Sequence, residues 1–257
     1  MVDSLAALVL AAGAGNRLRP LTRFRPKALC PVGDVALVDR AVGQVGAVVG
    51  AGAVAVNLHH GRAALDRHLR GRVHLSVEEP VALGTAGAVA HLRGWLDGRP
   101  LLVVNADTWH TVDLAPVVGG WDGSAVRVVV SGADGAELRP HTIVAASLLP
   151  WEEVLALPRR PAGLYEACWC RCRSEGRLEV VGTDGLVVPC DRPPDYLAAN
   201  LAASGGKSVV GRGAVVEGSL VRSVVWAGGV VRRGEVLVEA VRIGAGVTVL
   251  AGGGLHA

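Results

Sequence analysis

The chain has few aromatic residues, few cysteines and little net charge for its 257 residues. Aromatic side chains make up only 4% of the chain, so Ala, Val and Leu must fill most of the core. Five cysteines are too few for a disulfide framework at this length, which favours a reducing, cytoplasmic location. A formal net charge of +3 excludes the strong basic field that attracts nucleic acid, and an anionic small molecule fits better as the ligand.

Long hydrophobic runs are also absent. The stretch 41–56 is broken by Gln44 and four glycines, and it falls short of the roughly 20 apolar residues that a membrane span needs. The first apolar run, residues 5–12, follows no basic segment and is interpreted as a strand and its turn. We therefore expect no transmembrane segment, no signal peptide and no membrane partner.

Short apolar runs alternate with longer amphipathic runs, which predicts an α/β fold: a Rossmann-like, mostly parallel sheet with helices on both faces. The predicted strands are 5–10, 53–58, 73–77 and 101–105, and the predicted helices are 35–49, 62–69 and 84–96. Cys168, Cys170 and Cys172 alternate with other residues and predict a further strand with all three thiols on one face. Packing is favoured for these thiols over metal or redox use.

Beyond residue 204 the pattern changes, and Val or Ile recurs about every sixth residue with glycines between. This spacing is typical of hexapeptide repeats and predicts a short, left-handed parallel β-helix over residues 205–257, after a larger domain over residues 1–204. A pair of Val-rich hairpins is the alternative. This predicted β-helix, which we call the C-terminal coil, is also a candidate interface for a homo-oligomer.

The most informative segment runs from Leu8 to Lys27. An apolar strand leads into Gly13 and Gly15, and the cations Arg17 and Lys27 follow. Glycine lets a backbone turn tightly and bring its N–H groups against phosphate oxygens, which a Cβ at either position would obstruct. The segment lacks the Gly-Lys-Ser/Thr of a P-loop and the third glycine of the dinucleotide fingerprint. We interpret it as another kind of phosphate-binding loop.

Two further residues fall where a ligand of an open α/β sheet would bind, at the carboxyl ends of strands. Asp107 follows the predicted strand 101–105, and Thr85 lies at the start of the predicted helix 84–96. The start of that helix is expected to offer free backbone N–H groups. We expect the Gly13 loop, Thr85 and Asp107 to converge on one crevice.

These segments carry a family resemblance. Residues 10–22, Leu-Ala-Ala-Gly-x-Gly-x-Arg-Leu-x-Pro-Leu-Thr, and residues 26–31, Pro-Lys-x-Leu-x-Pro, resemble the signature of the nucleotide-sugar pyrophosphorylases, which are sugar-1-phosphate nucleotidyltransferases. Residues 79–87 are similar to the family's nucleotide-contacting Leu-Gly-Thr-Ala-Gly, residues 103–107 to its metal-binding strand end, and residues 195–200 to the segment that closes its catalytic domain. The resemblance implies the nucleotide-diphospho-sugar transferase fold.

The resemblance also implies a reaction, in which an oxygen of a sugar 1-phosphate attacks the α-phosphate of a nucleoside triphosphate and pyrophosphate leaves. It implies that Arg17 holds the departing pyrophosphate, that Lys27 stabilises the α-phosphate, and that Asp107 binds Mg²⁺, the implied cofactor. The nucleotide-binding residues that it implies are Leu10, Ala12, Gly13, Ala14, Gly15, Asn16, Glu79, Gly84 and Thr85.

The chain departs from the family at three places, and the mildest is Asn16, where Thr or Ser is usual. Relatives usually carry an Asp, the second metal ligand, where this chain has Pro189, and Asp191 is the alternative ligand two residues further on. The family's Glu-Lys-Pro, whose lysine binds the sugar phosphate, is replaced by Glu-Leu-Arg-Pro in residues 137–140. Arg139 and Glu166 are therefore the sugar-phosphate candidates, although arginine and lysine are not interchangeable.

Two functions stay open. In the first, the protein is an active nucleotidyltransferase, and the Leu-Gly-Thr-Ala-Gly segment favours the mannose-1-phosphate guanylyltransferase branch with a GDP-mannose-type product. In the second, it is a catalytically weak or inactive paralogue that binds nucleotide or nucleotide sugar as a regulatory or assembly subunit. The intact Arg17, Lys27 and Asp107 favour the first, whereas Pro189 and the missing Glu-Lys-Pro favour the second.

Overall fold

The structure is a computed structural model that describes residues 5–132, 137–252 and 255–256. Its helices are α1 (Leu37–Val49), α2 (Arg62–Leu69), α3 (Gly84–His91), α4 (Arg93–Leu96), α5 (Leu114–Gly119), α6 (Trp151–Ala156), α7 (Cys170–Ser174) and α8 (Pro193–Ala203). Its strands are β1 (Ala6–Leu10), β2 (Pro31–Val32), β3 (Val35–Ala36), β4 (Val54–Leu58), β5 (His74–Val77), β6 (Leu101–Asn105), β7 (Thr108–His110), β8 (Val126–Ser131), β9 (Val144–Leu149), β10 (Leu178–Thr183), β11 (Val187–Pro189), β12 (Val209–Val210), β13 (Val215–Val216), β14 (Ser219–Val221), β15 (Val224–Val225), β16 (Val230–Val231), β17 (Val236–Val238), β18 (Ala240–Ile243), β19 (Val247–Leu250) and β20 (Leu255–His256).

Contacts divide the chain into two compact units, and the first comprises Met1–Gly13 and Arg40–Val187. Its described residues build a seven-stranded sheet in the order β10-β8-β9-β6-β1-β4-β5. Strand β9 runs antiparallel to β6 and β8, and the other neighbouring strands are parallel. The predicted α/β fold with a mostly parallel sheet is therefore confirmed.

Strands β1 and β6 lie at the centre of this sheet because nearly all of their residues are apolar and buried. Such runs suit a strand that is covered on both faces. The two strands are parallel, with Leu10 opposite Asn105, and Leu10 also lies opposite Asn57 at the end of β4. The loops that follow these three strands therefore leave the sheet at the same edge.

The strand predicted around Cys168, Cys170 and Cys172 is wrong. These residues lie in a π-helical turn, Tyr165–Trp169, and in α7. Cys168 and Cys172 are buried in the core cluster one helical turn apart, whereas Cys170 is exposed. Alternation and helical spacing both place residues 168 and 172 on one face, so the pattern did not distinguish the two structures.

Two predicted helices have different bounds. The helix predicted over 84–96 is divided into α3 and α4. The helix predicted over 35–49 begins at Leu37, because β3 pairs with β2 in a short hairpin whose turn residues Gly33 and Asp34 have positive φ angles. No helix among the described residues has the length and hydropathy that crossing a bilayer requires.

The second unit comprises Ala14–Asp39 and Val188–Ala257. Its C-terminal strands form parallel pairs along three sides of a coil: β12 with β15 and β15 with β18, β13 with β16, and β14 with β17. Between residues 209 and 243 this pairing agrees with the coil that was predicted over residues 205–257, and not with the alternative hairpins. Beyond it, β19 pairs antiparallel with β18 and with β20, which departs from a uniform solenoid. The left-handed twist and the domain boundary at residue 204 stay predictions.

Candidate functional site

The loop after β1 begins in the first unit. The Ala11 N–H donates to the Asn57 side-chain oxygen over 2.7 Å, and the Ala12 carbonyl accepts from the His60 N–H over 3.3 Å. Gly13 is exposed, and a Cβ added there would meet no protein atom within 4 Å. A side chain at position 13 would therefore not clash with the protein itself, and the space beside the Gly13 backbone is open to a ligand.

The same loop continues in the second unit, where Gly15 is under tight constraint. Its φ is 64°, and an added Cβ would lie 2.9 Å from the Lys27 Cβ and 2.9 Å from the Thr22 Cγ2. The Thr22 hydroxyl donates to the Gly15 carbonyl over 3.0 Å. Glycine at position 15 thus lets the loop pack directly against the segment that carries Lys27. Ala14 before it is half-buried, and Asn16 after it is exposed.

A carboxylate joins the two predicted catalytic cations in the second unit. Asp191 Oδ1 lies 2.6 Å from Lys27 Nζ, and Asp191 Oδ2 lies 2.9 Å from Arg17 Nη2. The Lys27 side chain is 8% exposed, that of Asp191 is 24% exposed, and that of Arg17 is 68% exposed. We call these three residues the cation cluster. It presents a buried ammonium and an accessible guanidinium, an arrangement that suits polyphosphate.

Burial controls the protonation of the groups around the cation cluster. Desolvation raises the pKa of the Cys30 thiol to about 12, although the nearby charges of Arg25 and Lys27 lower it. Burial also raises the pKa of Tyr196 well above its usual value. Cys30 is therefore a protonated thiol at neutral pH and not a nucleophile.

Asp107 belongs to the first unit and lies in the turn after β6, where it is half-buried. The Ala106 N–H before it donates to the Leu10 carbonyl over 3.0 Å, and the Thr108 hydroxyl donates to Asp107 Oδ1 over 3.4 Å. This backbone bond ties the end of β6 to the end of β1. A carboxylate on this fixed turn is an oxygen ligand of the kind that Mg²⁺ prefers.

Glu78 is a buried carboxylate that the sequence analysis missed. It is 1% exposed, and its two oxygens accept from the Asn57 side-chain amide and from the Leu83 N–H, each over 2.7 Å. Since Asn57 accepts from Ala11, Glu78 links the start of the glycine loop to the start of α3. The sequence candidate Glu79 is instead exposed and forms an ion pair with Arg62.

The start of α3 is packed against another segment rather than free. The Ala86 N–H donates to the Ala162 carbonyl over 3.0 Å, and the Thr85 hydroxyl accepts from the Leu164 N–H over 2.8 Å. Gly84 has a φ of 67°, and an added Cβ would lie 2.6 Å from the Ala162 oxygen. The expectation of free N–H groups here is thus wrong for Ala86, because residues 162–164 occupy that position.

A cavity of about 50 Å³ lies within the first unit, at the carboxyl ends of β1 and β6. Its lining is uncharged and comprises Leu10, Thr85, Val103, Asn105, Val144, Ala145, Ala146, Ser147, Leu164 and Trp169. The indole nitrogen of Trp169 is buried and has no hydrogen-bond partner among the described residues. Arg139 and Glu166 are not part of this lining; both are exposed, and Arg139 is paired with Glu137.

The buried group of Glu153, Cys168 and Cys172 has potential ligand atoms within 4.8 Å of one another. Glu153 forms ion pairs with Arg171 and Arg177. Burial raises the pKa of Cys168 far above its usual range, so its thiol is protonated. The chemistry of the group is that of a polar cluster within the core, which agrees with the packing interpretation of these thiols.

The comparisons with known proteins agree with these features. The Nucleotidyl transferase family model matches residues 6–133. An N-acetylmuramate alpha-1-phosphate uridylyltransferase from Caulobacter vibrioides is 31% identical over 230 residues, which cover 75% of this chain and 94% of that protein. The crystal structure of a Thermus thermophilus protein described as a mannose-1-phosphate geranyltransferase has a TM-score of 0.69 at 18% identity, covering 97% of this chain and 96% of that one. HddC from Yersinia pseudotuberculosis has a TM-score of 0.63 at 15% identity, covering 77% of this chain and 99% of that one. The chain belongs to the nucleotidyl transferase family, the family of the sugar-1-phosphate nucleotidyltransferases.

Proposed function

We propose that the protein is catalytically active and joins a nucleoside triphosphate to a sugar 1-phosphate with release of pyrophosphate. The observation that carries this proposal is the cation cluster, in which Asp191 bridges Lys27 and Arg17. Pro189 removes the usual carboxylate from the motif, and Asp191 supplies one two residues later. The departure at Pro189 therefore does not require an inactive protein.

The reaction needs little acid–base chemistry from the protein. A phosphate monoester has a second pKa of about 6, so the sugar 1-phosphate is mostly dianionic at neutral pH and needs no general base. The task of the protein is to align the attacking oxygen with the α-phosphate and to neutralise charge. We assign charge neutralisation at the α-phosphate to Lys27, whose buried ammonium acts in a poorly solvated place, and binding of the pyrophosphate to the exposed Arg17.

Mg²⁺ is the proposed cofactor, and the donor chemistry fits it. Asp107 is the proposed ligand of the first unit, because its carboxylate is half-buried on a turn that a backbone hydrogen bond from Ala106 ties to β1. Asp191 in the second unit stays the alternative carboxylate that the sequence offers. When bound, the ion would neutralise charge on the triphosphate and hold its oxygens.

For the base and the sugar there are two candidate pairs, one from the name of a relative and one from the sequence. The Caulobacter vibrioides relative is named N-acetylmuramate alpha-1-phosphate uridylyltransferase. We therefore propose UTP with an N-acetylated sugar 1-phosphate as the first pair to test. GTP with mannose 1-phosphate is the second pair, and the Leu-Gly-Thr-Ala-Gly segment in residues 83–87 supports it.

We assign the cavity beside Trp169 to a substituent of the sugar. Since one water needs about 10–15 Å³ of such space, the cavity takes a group of about four non-hydrogen atoms, the size of an acetamido group. The unpartnered indole N–H of Trp169 would donate to the acetamido carbonyl, and the methyl group would pack on Val103 and Leu164. A charged substituent would find no counter-ion in this lining.

One observation favours a binding paralogue instead. Arg139, the replacement for the family's lysine, is exposed and paired with Glu137, and it does not line the cavity. The two functions differ in turnover. We would measure pyrophosphate release with Mg²⁺ for the common nucleoside triphosphates against N-acetylated and plain hexose 1-phosphates. Release that requires one pair supports the enzyme, and nucleotide binding without release with any pair supports the paralogue.

Three variants would test the assignments within that assay. Asp107→Ala should abolish release, whereas Asp184→Asn, at an exposed position, should not change it. Trp169→Phe keeps an aromatic ring and removes the N–H, so it should raise the KM for an N-acetylated sugar phosphate by about tenfold. The KM for a plain hexose 1-phosphate should stay the same. An equal change for both sugars would contradict the assignment of the cavity.

A further inference from the structure

Trp226 in the C-terminal coil is buried against the segment that carries Lys27. It directly follows β15 and is 1% exposed. Its indole N–H donates to the Tyr196 hydroxyl over 2.9 Å, and the Tyr196 hydroxyl donates to the Pro31 carbonyl. Because burial raises the pKa of Tyr196, the phenol keeps the proton that it donates. A chain of two hydrogen bonds thus runs from the coil through α8 to Pro31.

The face of the Trp226 indole ring contacts the other end of the segment that carries Lys27, at Arg25. The Arg25 guanidinium carbon lies 4.2 Å from the centroid of the Trp226 ring, which is a cation–π contact. Arg25 precedes Lys27 by two residues, and Pro31 follows Lys27 by four residues. Trp226 therefore contacts residues 25–31 directly at one end and through Tyr196 at the other.

The residues just after Pro31 are held by the same two elements. The Asn200 side chain on α8 accepts from the Gly33 N–H over 3.0 Å. Asp34 accepts from the Arg212 N–H of the coil over 3.0 Å. At Gly211 an added Cβ would lie 2.9 Å from the Asp34 side chain, so the coil approaches the hairpin closely there. Residues 25–34 are thus fixed by α8 and the coil on both sides of Lys27.

We propose that Trp226 is a positioning residue for Lys27, and that the C-terminal coil thereby takes part in catalysis without touching the substrate. The inference rests on the proposed function. Lys27 acts through an ammonium group at the end of a flexible chain, so its backbone must be held in place for Nζ to stay on Asp191. Small misplacements of a catalytic group cost large factors in rate, about a hundredfold for 1 Å.

The test compares two tryptophan variants that each lose one indole hydrogen bond. Trp226→Phe keeps a ring beneath Arg25 and loses the donor to Tyr196. Trp121→Phe is the matched control, because Trp121 is also buried and its indole N–H donates to the Ala125 carbonyl over 2.7 Å in the first unit. We expect Trp226→Phe to lower kcat about tenfold with the KM for both substrates changed less than about twofold. Trp121→Phe should leave kcat unchanged.

A second readout does not depend on turnover. Hydrogen–deuterium exchange followed by mass spectrometry should be faster across residues 25–31 in Trp226→Phe and unchanged there in Trp121→Phe. Unchanged exchange in Trp226→Phe, or a kcat no lower than that of the control, would overturn the inference. If Trp226→Phe does not fold, Arg25→Gln replaces it, with the same expected fall in kcat and the same contradicting result.

The two proposals fail in different ways. A wild-type protein that transfers no nucleotide with any substrate pair removes the proposed function, and with it the catalytic meaning of the positioning. An active wild-type protein whose kcat and exchange are insensitive to Trp226→Phe and Arg25→Gln removes the positioning inference alone.

Discussion

Replacing Asp191 with asparagine removes the negative charge from the cation cluster while keeping the size of the side chain. Lys27, at 8% exposure, then lies beside an amide instead of a carboxylate, and Arg17 is a second cation nearby. Breaking a fully buried ion pair costs about 3–5 kcal/mol, but the partial exposure of Asp191 admits water. We therefore expect a loss of about 2–3 kcal/mol in the free energy of unfolding, with Arg17 contributing less than about 1 kcal/mol of it.

Urea denaturation of Asp191→Asn, Lys27→Met and the double variant measures the coupling within this pair. The double variant has neither an unpaired ammonium nor an unpaired carboxylate, so it should be more stable than the sum of the single effects by about 1–3 kcal/mol. Single effects that add to within about 0.5 kcal/mol would show that the pair is not coupled and would refute the reasoning. In the pyrophosphate assay, Asp191→Asn should also lower kcat by at least about a hundredfold.

Three further predictions concern the residues around the site. Gly15→Ala places a Cβ against Lys27 at a residue with a positive φ angle, so it should lower the free energy of unfolding, measured by urea denaturation, by about 2 kcal/mol. The control Gly13→Ala meets open space and should lower it by less than about 0.5 kcal/mol. Equal losses in the two variants would contradict the loop geometry. Glu78→Gln turns an amide NH₂ toward one of the two N–H donors, so it should lower the free energy of unfolding by about 2–3 kcal/mol. The exposed control Glu79→Gln should lower it by less than about 0.5 kcal/mol, and similar losses in both variants would contradict the buried network. Burial lowers the pKa of His110 below its usual value near 6.5. Near and below pH 6.5, His110 therefore binds more protons in the unfolded state than in the folded state. Its contribution to the free energy of unfolding is present at higher pH and is lost as the pH falls. The free energy of unfolding should therefore fall more steeply between about pH 7 and pH 5 in the wild type than in His110→Gln, and parallel curves would exclude this contribution.

The sheet could be predicted from the sequence because its central strands are almost wholly apolar. Strand β6 has the predicted bounds, and α2 begins and ends at the predicted residues. The helix around Cys168 was missed because the same spacing of thiols fits a strand and a helix. The choice between them depends on tertiary packing, since Cys168 and Cys172 fill the core beside α6.

The candidate site was predictable where a whole motif specified it, and not where adjacent residues compete. Glu78 and Glu79 are adjacent and have the same side chain, so the sequence does not distinguish them. In the folded protein, only the Glu78 side chain lies inward, where it accepts from Asn57. The sequence offered Asp191 only as a replacement for the carboxylate missing at Pro189, because loop geometry, which no spacing rule fixes, decides whether Asp191 reaches Lys27. Trp169 carried no sequence signal, since its importance comes from a cavity that several separate segments line.

The most direct test of the central claim follows the oxygen atoms of the sugar 1-phosphate. The wild-type protein would be incubated with Mg²⁺, its preferred nucleoside triphosphate and a sugar 1-phosphate whose non-bridging phosphate oxygens are ¹⁸O. The masses of the nucleotide sugar and of the pyrophosphate would then be measured by mass spectrometry. Attack of the sugar phosphate on the α-phosphate predicts a nucleotide sugar that retains every labelled oxygen and a pyrophosphate that has none. Labelled pyrophosphate, or no nucleotide sugar with any substrate pair, would contradict the account.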